Sequence, residues 1–162
     1  MKRINKKGSF ADLLYMAVFI FLCGIVFTVG FLIHDKINDE WQTKDQLGTR
    51  SKAIMQDSND TFVASFDNVF LVIFIGLYLG ALILAYNVDI NPVFFFLSLF
   101  IMGVIVLITG VLGNAWYQFT QNSTLTGYID DFTFIPFIMG NYVKIFVAMA
   151  FGLAGVMYAK VR

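Results

Sequence analysis

The sequence predicts an all-α, polytopic integral membrane protein with four transmembrane helices in a single domain, residues 1–162. Three observations carry that prediction. Phe10 to Ile33 is a run of 24 residues whose only charge, Asp12, stands at its start. About 18 or more apolar residues suffice to cross the roughly 30 Å hydrocarbon layer at 1.5 Å per helical residue. The whole chain is 59% hydrophobic and 14% charged, against about 45–50% and about 25% in ordinary soluble domains. Three further apolar runs, at about 69–86, 93–113 and 134–158, are separated by polar or turn-forming segments.

The first helix is expected to begin near Ser9, where Ser9 and Asp12 make a Ser-x-x-Asp start that satisfies an orphan N–H and complements the positive helix end. Lys2, Arg3, Lys6 and Lys7 precede it as in a secretory signal, but the apolar run is longer than the 7–15 residues or so of a signal core. Ile20, Phe21 and Leu22 before Cys23 are too bulky for lipoprotein processing, so an uncleaved anchor is expected. Cys23 is the only cysteine, which excludes an intramolecular disulfide.

Phe27, Phe31, His34, Ile37 and Trp41 recur at steps of four and three, so the first helix is expected to continue past the apolar layer along that stripe. Residues 34–66 form the one large polar segment, with Asp35, Asp39, Glu40, Asp45, Asp57 and Asp60 set against Lys36, Lys44, Arg50 and Lys52. Gly48 is the expected break, and Phe62, Val63, Phe66 and Val69 lead into the second span. Two arrangements fit: a protruding helical hairpin, or a loosely ordered loop.

Asn87 to Pro92 reads as a tight turn that makes the second and third spans antiparallel neighbours, with Pro92 in the first turn of a helix. The segment Asn114–Thr133 is polar but carries Trp116, Tyr117, Phe119, Tyr128 and Phe132, rings that favour the headgroup level. The last span is read as one helix over 134–158, with Pro136 in its first turn. Short termini bearing Lys2, Arg3, Lys6, Lys7, Lys160 and Arg162 place both ends on the cytoplasmic or equivalent face, and the 34–66 segment opposite.

Gly76 and Gly80 in the second span, Gly103, Gly110 and Gly113 in the third, and Gly152 and Gly155 in the fourth are expected to be helix-packing positions, because association in lipid depends on close approach. Lys144, with Asn141 one turn earlier, is the candidate intramembrane polar site. A Lys at the centre of a span costs about 2.5–3.5 kcal/mol on insertion scales. It therefore reads either as a transport or coupling site, or as a side chain reaching the outer headgroups or an acid among Asp67, Asp130 and Asp131.

Balanced charge, 11 basic against 11 acidic, argues against nucleic acid as a partner. A single histidine, His34, supports neither a metal site nor a Ser-His-Asp set, and no glycine-rich phosphate loop occurs. No enzyme activity, cofactor or metal is expected. Asn59-Asp60-Thr61 and Asn122-Ser123-Thr124 match the short glycosylation pattern.

Four Phe-rich spans, 19 Phe in all, follow the basic start Met1-Lys2-Arg3-Ile4-Asn5-Lys6-Lys7. In this combination the chain resembles the small integral membrane proteins of tailless icosahedral bacteriophages that carry an internal lipid membrane. That resemblance implies a structural role: many copies in a vesicle beneath a capsid, with a polar segment touching capsid or scaffolding proteins. The sequence alone leads to a related expectation, a packing and docking component of a membrane assembly whose docking residues are Asp39, Glu40, Trp41 and Asp45. The alternatives are a small oligomeric channel, holin-like pore or transporter subunit built around Lys144 and Asn141, and an accessory subunit of a respiratory or secretion complex.

Overall fold

The computed structural model describes residues 10–45, 47–87 and 92–161. The basic start, the Ser9 cap, the turn residues Val88–Asn91 and Arg162 lie outside the described residues. All regular structure among the described residues is helical: α1 (Phe10–Thr43), α2 (Thr49–Asn87), α3 (Pro92–Thr120), α4 (Ser123–Ile129), α5 (Phe134–Gly140) and α6 (Tyr142–Val161). Helices α1, α2, α3 and α6 are each long and apolar enough to cross a membrane. The protein is an all-α integral membrane protein.

Helix α1 runs 34 residues without interruption. The hydroxyl of Thr28 donates back to the carbonyl of Gly24 (2.9 Å) within it. It ends where Thr43 donates its hydroxyl to the Glu40 carbonyl. The chain then turns through Lys44 N–H to Trp41 O and Leu47 N–H to Lys44 O. The Gly48 carbonyl receives the N–H groups of Ser51 and Lys52 and so starts α2. Pro92 is the first residue of α3, where its missing N–H removes no helical bond.

Helices α1 and α2 pair antiparallel well past the apolar layer, with Phe27 against Phe66, Phe31 against Phe62, His34 against Asn59, Asn38 against Gln56 and Gln42 against Lys52. The polar segment is therefore a helical hairpin, and α1 alone carries it about 15 Å beyond Ile33 at 1.5 Å per residue. The stripe that pairs differs from the one expected. Ile37 and Trp41 are exposed, 44% and 40%, while Asn38 is buried at 3%. The contact positions 27, 31, 34, 38 and 42 keep one face of a 3.6-residue helix, and the amide side chains of Asn38 and Gln42 find partners on α2.

The expected single helix over 134–158 is broken. Helix α5 stops at Gly140, Asn141 takes φ −107°, ψ 23°, and α6 restarts at Tyr142. Glycine is a poor helix former, and the Asn141 side-chain N–H competes for the Phe137 carbonyl (3.0 Å). Tyr142 fixes the restart: it is buried, donates its hydroxyl to the Ala17 carbonyl of α1, and sits edge-on to Phe21.

The Asn114–Thr133 segment also differs from a surface loop. Helix α3 continues to Thr120, and Asn122 caps α4 by accepting from the Thr124 N–H (3.0 Å). Trp116 and Phe132 are turned into the protein, 3% and 4% exposed; α4 and the following turn pack on α1, where Tyr128 and Phe132 meet Phe31. Only Tyr117 keeps the outward orientation expected of an interfacial ring.

Candidate functional site

Above the spans, the hairpin is held by side chains. The Asn59 amide joins two neighbours on α1: its oxygen meets His34 Nδ1 (2.8 Å) and its N–H donates to Asp35 (2.8 Å). One turn on, Asn38 donates to Gln56 (3.1 Å) and its oxygen receives Gln42 (3.2 Å). At the tip, Gln42 donates to the Lys52 carbonyl (2.9 Å) while Lys52 Nζ donates to the Gln42 carbonyl (2.6 Å). Three successive turns of α1 are thus tied to α2. Asn59, the acceptor of one glycosylation pattern, is buried in that network.

The network rests on an aromatic column. His34 stacks on Phe62 (4.6 Å between centroids) and Phe62 on Phe66 (4.1 Å). Phe31 meets Phe132 (5.5 Å) and Tyr128 (5.9 Å) edge-on, so the column also anchors α4 and its turn. Sequence reasoning missed this column; the spacing of Phe62 and Phe66 against Phe27 and Phe31 was its available signal.

Carboxylates gather where α4 meets the hairpin. Burial, followed by Asp35 and then Asp130, raises the Asp131 carboxyl above its ordinary value. Burial, followed by the charges of Asp35 and Asp39, likewise raises the Tyr128 phenol. A raised Asp131 binds its proton more tightly in the folded protein. Its contribution to stability is complete below the unfolded carboxylate pKa and is lost as pH rises through the folded value. Across that range Asp131 should contribute a fall of thermal stability with rising pH, and Asp131→Asn should remove that contribution from the measured slope.

The expected docking residues Asp39, Glu40, Trp41 and Asp45 are all exposed and face away from the α1–α2 contact. Glu40 pairs with Lys44 at 3.0 Å. Lys44 and Lys52 are engaged within the hairpin, while Lys36 and Arg50 are exposed beside Asp39, Asp45, Asp57 and Asp60, so that six acids against four bases over residues 34–66 give the segment a small acidic excess.

Asp67 lies two residues before the apolar run of α2 begins near Val69 and is 5% exposed. It does not approach Lys144 as a partner. Its carboxylate instead accepts the backbone N–H groups of Thr133 (2.8 Å), Phe134 (2.9 and 3.0 Å) and Ile135 (2.9 Å). The next residue, Pro136, has no N–H. The four orphan donors of a helix start are thereby removed: three by a carboxylate from another helix, one by proline. Thr133 occupies the N-cap position but makes no side-chain cap.

Lys144 is exposed in the first turn of α6 and donates to the Asn141 oxygen (3.3 Å). Helix α5 begins beside Asp67, where α2 enters its apolar run, so Lys144, ten residues after Phe134, lies at most about 15 Å deeper. Side chains incline towards the helix N-terminus, which directs this ammonium back towards the hairpin side.

The glycines divide. A Cβ added at Gly152 would collide with the Tyr78 hydroxyl of α2, and one at Gly113 would touch Val143 (3.6 Å) and Tyr142 (3.7 Å) of α6. At Gly76, Gly80, Gly103, Gly110 and Gly155 it would meet no atom within 4 Å: Gly76 and Gly80 line an open groove beside α1, Gly110 lines a recess beside the start of α6, and Gly103 and Gly155 are exposed. At Gly24, not singled out in the sequence, an added Cβ would meet Met139 at 3.2 Å. No group of three His, Cys, Asp or Glu with metal-binding geometry occurs among the described residues.

Fold and surface together define a class: a four-span α-helical membrane protein whose first two spans continue as a side-chain-bonded hairpin. Comparison with protein-family models, curated proteins and solved structures returned no match.

Proposed function

We propose that the protein is a non-enzymatic structural component of a larger membrane assembly, present in multiple copies, with the hairpin as its docking element. The observation that carries this reading is the cross-helix side-chain network from His34 to Lys52. A segment that only linked two spans would need no such bonding, whereas a docking element gains from being ordered before its partner arrives. The exposed acids and Trp41 fit a partner with a basic surface and a pocket for an aromatic ring.

The assembly we favour is an internal virion membrane beneath a capsid, with both chain termini on the cytoplasmic or equivalent face and the hairpin on the other. Density-gradient separation of membranes and particles from the source, followed by mass spectrometry, tests this location. Co-migration with a coat protein is the expected result, and residence in ordinary cell membrane would refute it. Charge reversal at Asp39, Glu40 and Asp45 together is expected to reduce incorporation into the assembly at least tenfold while membrane insertion is unchanged. Normal incorporation of that variant would rule out the hairpin as the docking element.

A further inference from the structure

Where α6 begins, the surface is recessed. The recess, about 260 Å³, lies between the Gly110–Asn114 turn of α3 and the Gly140–Lys144 turn. It stays open because Gly110 and Gly140 carry no side chain to fill it. Its polar groups are the Lys144 ammonium and the amides of Asn114 and Asn141, and no acidic side chain lines it.

The ammonium has three donors and one acceptor, the neutral Asn141 oxygen at 3.3 Å. Asn141 uses one of its two amide hydrogens on the Phe137 carbonyl and keeps the other. A cation and amide donors therefore converge, below the level at which α2 enters its apolar run, with no anion to balance them. An uncompensated charge at that depth favours a counter-ion strongly.

We propose that this recess binds the phosphate of an anionic phospholipid headgroup, with Lys144 as the charge partner and Asn114 and Asn141 as neutral donors. A lipid suits the site better than a free anion. The open surface continues down α3 through Leu107, 72% exposed, to Gly103, giving an acyl chain an apolar path leading away from the recess. The inclination of Lys144 towards the hairpin side brings its ammonium up to meet a headgroup. This inference does not depend on the docking reading of the hairpin, since the two surfaces share no residue.

The test is thermal unfolding of the delipidated protein in neutral detergent, titrated separately with phosphatidylglycerol, diacylglycerol and inorganic phosphate. Phosphatidylglycerol is expected to raise the unfolding midpoint at a concentration at least tenfold below that needed of diacylglycerol, with no response to inorganic phosphate. Lys144→Met should lose that tenfold preference and Lys144→Arg should keep it. Asn114→Leu should weaken it several-fold. Removing a charge from the apolar layer is not expected to impair folding, so the Met variant reports on the site. An unaltered phosphatidylglycerol preference in Lys144→Met would overturn the proposal, as would an equal response of the wild type to inorganic phosphate.

Discussion

Asp67→Ala is expected to lower the stability of the protein in detergent by about 3 kcal/mol, among the larger effects of any single substitution here. The carboxylate is buried and accepts three backbone N–H groups at the start of α5. Hydrogen bonds to a charged group contribute about 1.5–3 kcal/mol each, and leaving a buried donor without a partner costs about 1–3 kcal/mol. The three bonds share one carboxylate and a local relaxation can rehydrate part of the site, which holds the total well below their sum. Asp67→Asn retains one acceptor oxygen and should lose roughly half as much. Hydrogen exchange gives the local readout: the amides of residues 133–135 should lose protection in Asp67→Ala while those of the hairpin keep it. Unchanged exchange at those three amides would mean that α5 is held by its packing alone.

The second large effect is expected at Gly152. A methyl group there cannot coexist with the Tyr78 hydroxyl in its present position, so Gly152→Ala must push α6 away from α2 or displace the tyrosine ring. Overpacking of this kind costs about 1–3 kcal/mol. The sign is informative, because alanine is the better helix former by about 1 kcal/mol, and an open glycine should gain from the same change. Gly76→Ala and Gly155→Ala, at positions with nothing within 4 Å, are therefore predicted to be neutral or mildly stabilising. Tyr78→Phe removes the colliding oxygen and leaves the nearest ring carbon at an ordinary 3.6 Å. Gly152→Ala should thus be tolerated in that background, which a double-mutant cycle on thermal unfolding would reveal as a coupling of about 1 kcal/mol or more. Equal losses in both backgrounds would show that the hydroxyl is not the obstacle.

Length and hydropathy made the four spans readable, and Gly48 and Pro92 marked a break and a start because each acts through its own backbone. What could not be read was direction. In α1 the residues beyond Ile33 offer both an apolar stripe through Ile37 and Trp41 and a polar one through Asn38 and Gln42, and hydrophobicity selects the wrong one. The polar stripe wins because α2 presents Gln56 and the Lys52 carbonyl opposite it, a complementarity that exists only once the two helices meet. The break at Gly140–Asn141 was hidden for a related reason. Apolar composition continues on both sides of Asn141, with Lys144 the one charge before Lys160, and the restart depends on Tyr142 reaching the Ala17 carbonyl, 125 positions away in sequence. Spans that are apolar on every side give no indication of facing, so the glycines of α2 and α3 with open space around them could not be told from the closely packed ones at Gly113 and Gly152.

The cap that Asp67 supplies has a bearing on how the chain is made. Its acceptor and its donors are separated by 66 to 68 positions, so the carboxylate has left the ribosome long before the first residue of α5 is synthesised. Until then Asp67 lacks all three of its backbone donors, and the early spans carry a site awaiting completion. A nascent chain that stops short of residue 133 therefore holds an acidic side chain beside an apolar span without the backbone donors that pair with it in the finished protein. Arrival of Thr133, Phe134 and Ile135 completes the site, so the start of α5 and the satisfaction of Asp67 are one event, late in the synthesis of the chain.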